Sequence, residues 1–331
     1  MFRQLTIATL ALSVFLGVPL GEFGGIDTAN AKRVSKSVSK SDGRASTGST
    51  GSTGSTVKSK VLASAVNALA AKADPTDPMN AFEIPGQTRQ IIVGVTNGWA
   101  GNKAQLRRFT RKSGVWTSLD AEPITAVLGP KGLAWGRGLN PVPGGAISSA
   151  GGVGSKRTKR EGDKRSPAGV FSLGKAYGYD PIWSARTKLD YVTVTPADLF
   201  IEDTSSEFYN HQIRLDHPAA SAWELSQQME QTDPAHRLEV VVDHNTPRPI
   251  RGAGSAILLH IWRQNGKKFT TGCTAMADTD MESIERWLDP GAHPLYVLLP
   301  RSEYLTRQAS WGLPPLPSSD GPGSAAVGSG E

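Results

Sequence analysis

One cysteine and one histidine stand close together in the C-terminal half of the sequence. Cys273, the only cysteine of the 331 residues, directly follows Gly272. His260 lies a short spacer earlier, in the apolar run AILLHIW (256–262), where it is the only ionisable group. A free thiol has a pKa of about 8.5, and a neighbouring imidazole that takes its proton turns it into a nucleophile. The two residue types therefore predict catalysis by a thiolate–imidazolium pair.

A strand and a turn are expected to bring the two side chains together. Side chains alternate between the faces of a strand, which places His260 on one face of the apolar run. Asn265-Gly266 is typical of a tight hairpin turn, so we expect the chain to reverse there and return to Cys273. Gly272 allows close approach of the backbone, and the amides around Cys273 are expected to face a developing oxyanion.

Other interpretations of these residues stay open at this point. A single cysteine in an exported protein forms an intermolecular disulfide, lies buried and inert, or reacts. A histidine in an apolar strand is more often a satisfied core residue than a base. Trp262 either walls the site or fills the core. The short spacing between His260 and Cys273, with Thr270 and Thr271 before the thiol, favours a catalytic pair.

A basic segment offers a candidate substrate-binding residue. Residues 131–165 are rich in glycine, lack periodicity and are expected to form a long loop. Arg165, next to Ser166-Pro167, is the preferred ligand for a substrate carboxylate, with a solvated loop as the alternative. The other basic residues near it are Lys156, Arg157, Lys159, Arg160 and Lys164. The remaining histidines are scattered without an H-E-x-x-H pattern, so no metal and no other cofactor is predicted.

The elements that must position these residues are mostly strands. Two helices are predicted, at 220–230 and 279–288. The predicted strands are 90–96, 106–110, 124–128, 169–173, 191–195, 238–242, 256–262 and 295–299. Short strands with few helices indicate a mainly β fold, a β-sandwich of mixed sheets, flanked by disordered termini.

The ends of the chain differ in composition from the predicted domain at 83–312. Residues 1–31 combine Arg3, an apolar run and an Ala-x-Ala site, which predicts a cleaved signal peptide, and no other segment has the length of a membrane span. Residues 32–82 are expected to be a basic low-complexity tether with a short helix at 61–72. Its flexible part, residues 32–60, is expected to contact anionic wall polymers or lipid headgroups, or is simply solvated. Residues 313–331 are expected to be a disordered tail.

The positive charge of the chain is concentrated in one segment. Residues 32–60 carry seven basic residues and one acidic residue, Asp42, and so have a net charge of +6. The whole chain has the same net charge of +6. The rest of the chain therefore lacks the basic face that a folded nucleic-acid-binding domain needs, and no nucleic-acid partner is predicted.

At this point the sequence resembles a known family. His260 followed by Thr270-Thr271-Gly272-Cys273 is similar to the signature of the L,D-transpeptidase catalytic domain, a His, a variable spacer and Ser/Thr-His-Gly-Cys. The other segments that carry the resemblance are 160–163, 166–171, 202–203, 209–210, 243–245, 254–255 and 273–276. Thr271 stands where many members have a second histidine, and Ala275 where many have Arg or Asn.

The resemblance implies a role for each matched residue. Cys273 is the implied nucleophile and His260 the base, oriented by the backbone carbonyl of Ile261. The amides of Gly272 and Cys273 match an oxyanion hole, and Thr270, Thr271, Trp262 and Arg165 are the expected substrate-binding residues.

The implied reaction is acyl transfer on peptidoglycan stem peptides in the periplasm or cell wall, without a cofactor. A thioester on Cys273 passes to an amine, which makes a 3→3 cross-link, and acylation by a carbapenem is expected. Alternatives are L,D-carboxypeptidase or amide hydrolase activity on the same scaffold, or a cell-wall-binding protein without catalysis. Sortase-like enzymes have a far longer spacer, and papain-like enzymes place Cys before His.

Overall fold

A computed structural model describes residues 78–143, 157–229 and 232–317. The strands in these ranges are β1 (Gln90–Thr96), β2 (Lys103–Lys112), β3 (Val115–Ser118), β4 (Ile124–Val127), β5 (Leu133–Trp135), β6 (Ser166–Gly178), β7 (Tyr191–Thr193), β8 (Asp198–Phe200), β9 (Gln212–Arg214), β10 (Glu239–Val242), β11 (Leu258–Ile261), β12 (Thr274–Met276) and β13 (Leu295–Pro300). The α-helices are α1 (Ala222–Gln227), α2 (Asp278–Trp287) and α3 (Arg301–Arg307), and short 3₁₀ turns include Pro234–His236 and Gln264–Gly266.

Eleven of these strands form one sheet that closes on itself. Its order is β1-β13-β6-β10-β11-β12-β4-β2, and β2 also pairs with β1. Strands β3, β5 and β7 extend it, and β8 and β9 pair separately. The predicted mainly β fold with mixed strand directions is confirmed, since β1–β13 and β11–β12 are parallel within a largely antiparallel sheet. In place of two sheets of a sandwich, the pairing of β1 with β2 closes a single sheet.

Strand β1 lies at the point of closure because it pairs on both edges. Its sequence QIIVGVT is almost wholly buried, as expected for a strand covered on both faces. A Cβ at Gly94 would lie 2.7 Å from Leu106 Cδ2, so glycine permits the close approach of β2 at this position. Burial of each large aliphatic side chain in this region contributes about 1.5–3 kcal/mol.

Helix α3 and the first described residues complete the core. Tyr304 of α3 is fully buried, and the helix packs against β13 and β1. Trp311 Nε1 donates a hydrogen bond to the Met79 carbonyl at 2.7 Å, and Met79 is itself buried. The packed core therefore includes residues before position 83, where the sequence places the start of the domain.

Most predicted elements correspond to observed ones. The strand at 90–96 has the predicted bounds, and the seven other predicted strands overlap β2, β4, β6, β7, β10, β11 and β13. The helix predicted at 220–230 is shorter, and the one at 279–288 shifts by one residue. The predicted loop at 131–165 contains strand β5. Strands β3, β5, β8, β9 and β12 and helix α3 were not predicted.

Several sequence predictions fall outside the described residues. The signal peptide, almost all of the basic tether and most of the C-terminal tail lie there, as do residues 144–156 of the long loop. In the three ranges that the structure describes, no helix has the length and apolar character needed to cross a membrane.

Helix α2 buries a carboxyl group that finds no partner. Glu285 lies beside Ile284 on the inner side of the helix with no exposed surface, and neither carboxyl oxygen has a hydrogen-bond partner in the structure described. Burial raises the pKa of Glu285 to about 8. The folded protein therefore retains a proton that the unfolded chain loses near the ordinary value of 4.5.

We expect Glu285→Gln to remove a pH dependence of stability. Between pH 4.5 and 8 the folded state binds more protons at this site than the unfolded state. The free energy of unfolding therefore falls as the pH rises, by up to about 1.4 kcal/mol per pH unit. Urea unfolding at pH 5, 6.5 and 8 measures this slope in the wild type, in Glu285→Gln and in a control variant. The control Glu122→Gln, at an exposed glutamate just before β4, keeps the slope, and equal slopes in all three proteins would contradict the assignment.

Candidate active site

Strand β11 carries His260 in the middle of the closed sheet. It lies between β10 and β12, where His260 is opposite Glu239 on one side and Ala275 on the other. The predicted alternation is observed, because Ile257, Leu259 and Ile261 all belong to the main core cluster and His260 lies on the other face. His260 is buried, with 3% of its surface exposed.

Cys273 reaches the face of His260 by a different route from the predicted hairpin. Strands β11 and β12 are parallel, so a single reversal cannot join them. The turn at Gln264–Gly266 reverses the chain locally, closed by an antiparallel bridge between Arg263 and Lys268, and the following segment reverses it again. The predicted reversal at Asn265-Gly266 is therefore observed, whereas the prediction that this one reversal returns the chain to Cys273 is wrong.

The parallel register nevertheless puts the two side chains on one face. His260 is opposite Ala275, and Cys273 precedes Ala275 by two positions. Residues two apart on an extended chain share a face, which makes Cys273 and His260 diagonal neighbours on adjacent strands, a relation in which Cα atoms are roughly 7–8 Å apart.

Both residues line one cavity of about 410 Å³. Cys273 is partly exposed, and Thr270 and Thr271 line the cavity as expected. Other residues of its wall are Glu202, His236, Glu239, Arg263, Lys268 and Phe269. The structure thus brings the predicted nucleophile and base to one cavity whose volume lies in the usual range of ligand pockets.

The hydrogen bonds of the pair define its resting arrangement. Nδ1 of His260 lies 2.7 Å from the carbonyl oxygen of Ile261. A carbonyl only accepts, so Nδ1 carries the hydrogen in the neutral ring and Nε2 is left unprotonated. The thiol of Cys273 donates to the carbonyl of Ala256 at 3.4 Å. Among the described residues no hydrogen bond joins this thiol to the imidazole, so Sγ must turn from Ala256 before it gives up its proton.

Burial keeps both groups of the pair neutral at rest. It raises the pKa of the Cys273 thiol to about 12, and the negative charges of Glu239 and Glu202 add to this effect. Burial, together with nearby His236, lowers the pKa of His260 to about 3. Burial therefore favours a neutral thiol and a neutral imidazole at rest over the expected thiolate–imidazolium pair.

The segment before Cys273 is shaped by Thr270. Its hydroxyl donates to the carbonyl of Cys273 at 2.7 Å and accepts from the amide of Gly272 at 3.2 Å. A Cβ at Gly272 would lie 3.1 Å from the carbonyl oxygen of Arg165, so the turn is tightly packed. Because the Gly272 amide is already engaged, an oxyanion hole in this segment depends first on the Cys273 amide.

Two predicted substrate-binding residues are not brought to the cavity. The guanidinium of Arg165 donates to the backbone carbonyls of Lys131 and Leu133 at 2.6 and 3.2 Å, and it fixes the chain there. Trp262 packs against the turn at Gly266 and lines a separate surface groove with Asp280. The cations of the cavity are instead Arg263 and Lys268, just beyond β11.

Sequence reasoning missed a second histidine beside the site. His236, in the turn before β10, stacks on His260 with ring centroids 5.3 Å apart and planes at 14°. Its Nδ1 contacts the carboxylate of Glu239, and Arg263 donates to its Nε2 at 2.8 Å. A signal was present in the sequence, because Glu239 is the only charged residue in the apolar run 238–242.

The described residues contain no group of three or more His, Cys, Asp or Glu side chains arranged to hold a metal.

The fold and the cavity define a mainly β domain with a cysteine and a histidine on one face of a closed sheet. Residues 143–297 match the family model of the L,D-transpeptidase catalytic domain, YkuD. Over this stretch the chain is similar to that catalytic domain, and the resemblance noted from the sequence is confirmed. The match includes β6 to β12 and the first half of β13, while β1 to β5 precede it. A search of curated proteins found no match.

Proposed function

We propose that this chain is a peptidoglycan L,D-transpeptidase that forms an acyl-enzyme on Cys273. The observation that carries the proposal is the shared cavity of Cys273 and His260, with the ring of His260 held by the Ile261 carbonyl. The family match supports the same class of enzyme. Export to the periplasm or cell wall, and wall contact through residues 32–60, belong to this proposal.

The first half of the reaction is acylation by a stem tetrapeptide. Sγ of Cys273 attacks the carbonyl between the third residue, for example diaminopimelate, and the terminal D-Ala. Nε2 of His260 accepts the thiol proton during attack and passes it to the departing D-Ala amine. The Ile261 carbonyl stabilises the imidazolium that forms meanwhile, and a thioester remains on Cys273.

The second half transfers the acyl group to an amine of another stem. His260 takes a proton from this amine as it attacks the thioester, and the thiol of Cys273 is regenerated when the C–S bond breaks. The product is a 3→3 cross-link. If water attacks instead, the same thioester gives a tripeptide, which is L,D-carboxypeptidase activity.

The charges of the cavity suit a ligand that carries both an ammonium and a carboxylate. The side chains of Glu202 and Lys268 line the cavity, and neither forms a hydrogen bond or ion pair with another described residue. A diaminopimelate stem supplies an ammonium for the first and carboxylates for the second.

The proposed activity is tested with the purified chain and a disaccharide-tetrapeptide. Mass spectrometry of the products is expected to show cross-linked dimer and free D-Ala with the wild type, and unchanged donor with Cys273→Ala. If tripeptide monomer forms without dimer, the activity is that of an L,D-carboxypeptidase and not of a transpeptidase. If the protein binds isolated cell wall but consumes no donor, the proposed enzymatic activity is contradicted and a wall-binding function is favoured.

A further inference from the structure

The ring of His260 is held from two directions. Its Nδ1 edge faces the Ile261 carbonyl at 2.7 Å. One of its faces is covered by the ring of His236, 5.3 Å away and nearly parallel. A flat ring against a flat ring blocks rotation of the imidazole about its side-chain bonds while leaving the Nε2 edge uncovered by that contact.

The ring of His236 is in turn fixed by charged partners on both nitrogens. A guanidinium only donates, so the 2.8 Å contact of Arg263 makes Nε2 of His236 an acceptor. Its Nδ1 then carries the hydrogen and donates to the carboxylate of Glu239. Arg263 is anchored to Asp233 by a 2.6 Å hydrogen bond, and Glu239 is buried opposite His260 in the sheet.

We infer that His236 is a positioning residue that holds the His260 ring in the orientation needed for proton transfer. The inference rests on the proposed function, since it assigns His260 the role of base. His236 acts through His260 and does not itself exchange a proton with Cys273. Arg263 and Glu239 set the plane of the His236 ring, and that plane sets the plane of His260.

Misplacement of a catalytic group by about 1 Å lowers a rate roughly 100-fold. We therefore expect His236→Ala to lower kcat for donor consumption about 10-fold to 100-fold, with KM changed less than about threefold. His236→Phe keeps a flat ring on His260. It is expected to recover at least half of the loss when the loss is expressed as a change in log kcat. His211→Ala, at an exposed histidine outside the cavity, serves as the matched control and is expected to retain wild-type kcat.

A double-mutant cycle separates positioning from general damage to the fold. If His236 acts through His260, its replacement has no further effect once His260 is alanine, because coupled residues are non-additive. The cycle is measured by the rate of Cys273 alkylation with iodoacetamide, which needs no stem peptide. The alkylation assay therefore tests the inference even if the wild type consumes no donor. That outcome would contradict the proposed function but not the positioning role of His236.

Three results would overturn the inference. The first is wild-type kcat and alkylation rate in His236→Ala. The second is an equal loss from His236→Ala in the wild-type and His260→Ala backgrounds. The third is a loss that His236→Phe does not reduce.

Discussion

Replacement of Cys273 with alanine is expected to abolish donor consumption, with a loss of at least about 10⁴-fold in kcat. Cys273 is the only cysteine of the chain and lines the cavity together with His260, so no second thiol is available to form the thioester. The measurement is the release of D-Ala from a disaccharide-tetrapeptide by wild type and variant at equal concentration.

The substitution is suited to this test because it makes little demand on the fold. The thiol belongs to a smaller cluster with Leu258 and Phe200, not to the main core, and it makes one long hydrogen bond to Ala256. We expect Cys273→Ala to keep the wild-type melting temperature and to lose the mass adduct that a carbapenem leaves on the wild type. Residual D-Ala release within tenfold of wild type would show that another group forms the acyl-enzyme.

Replacement of His260 with alanine is expected to lower kcat by about 10²-fold to 10⁴-fold, the usual contribution of a positioned base. The wild type should also show an unusual pH profile. The imidazole loses its base function only as the pH falls toward its lowered pKa of about 3. The thiol ionises by itself only as the pH approaches about 12. We therefore expect neither ionisation of this pair to limit kcat/KM between about pH 5 and 9.

A neutral Cys273 thiol is expected to react slowly with alkylating reagents when no substrate is bound. A thiol with a raised pKa is little ionised at neutral pH, so alkylation of Cys273 by iodoacetamide at pH 7 should be at least about tenfold slower than that of a free cysteine. His260→Ala is expected to slow it further. Alkylation faster than that of free cysteine would instead indicate a resting thiolate–imidazolium pair.

The strands of the domain were predictable where burial imposes a pattern. Strand β1 was predictable with its observed bounds because QIIVGVT is rich in Ile and Val and ends at Asn97-Gly98. Strand β11 was predictable because AILLHIW is a short apolar run in which His260 is the only ionisable residue. Strand β12 has only three residues and follows a turn held by the hydroxyl of Thr270, so its sequence carries no periodic signal.

Contacts between distant segments were beyond the sequence. The closure of the sheet depends on β1 accepting β13 and β2 on its two edges, which no local pattern encodes. The parallel pairing of β11 and β12 was missed for a similar reason, because the Asn265-Gly266 signal is local and reports one of two reversals.

The substrate-binding residues show the same limit. Arg165 was selected for its charge and its place beside a strand, but its guanidinium binds backbone carbonyls of the preceding segment. His236 was passed over because it stands outside every strand, in a 3₁₀ turn, and meets His260 only through the pairing of β10 with β11. Residue type and spacing identified the candidate catalytic pair, and the tertiary structure identified what surrounds it.

The account is tested most directly by mapping the covalent intermediate. The wild type is incubated with excess disaccharide-tetrapeptide, quenched with acid, digested and analysed by mass spectrometry. We predict an adduct equal in mass to the donor minus D-Ala, located on the peptide that contains Cys273 and absent from Cys273→Ala. Product formation with the adduct on another residue, or with no adduct and an unmodified thiol at every time of quenching, would contradict the assignment of Cys273 as nucleophile.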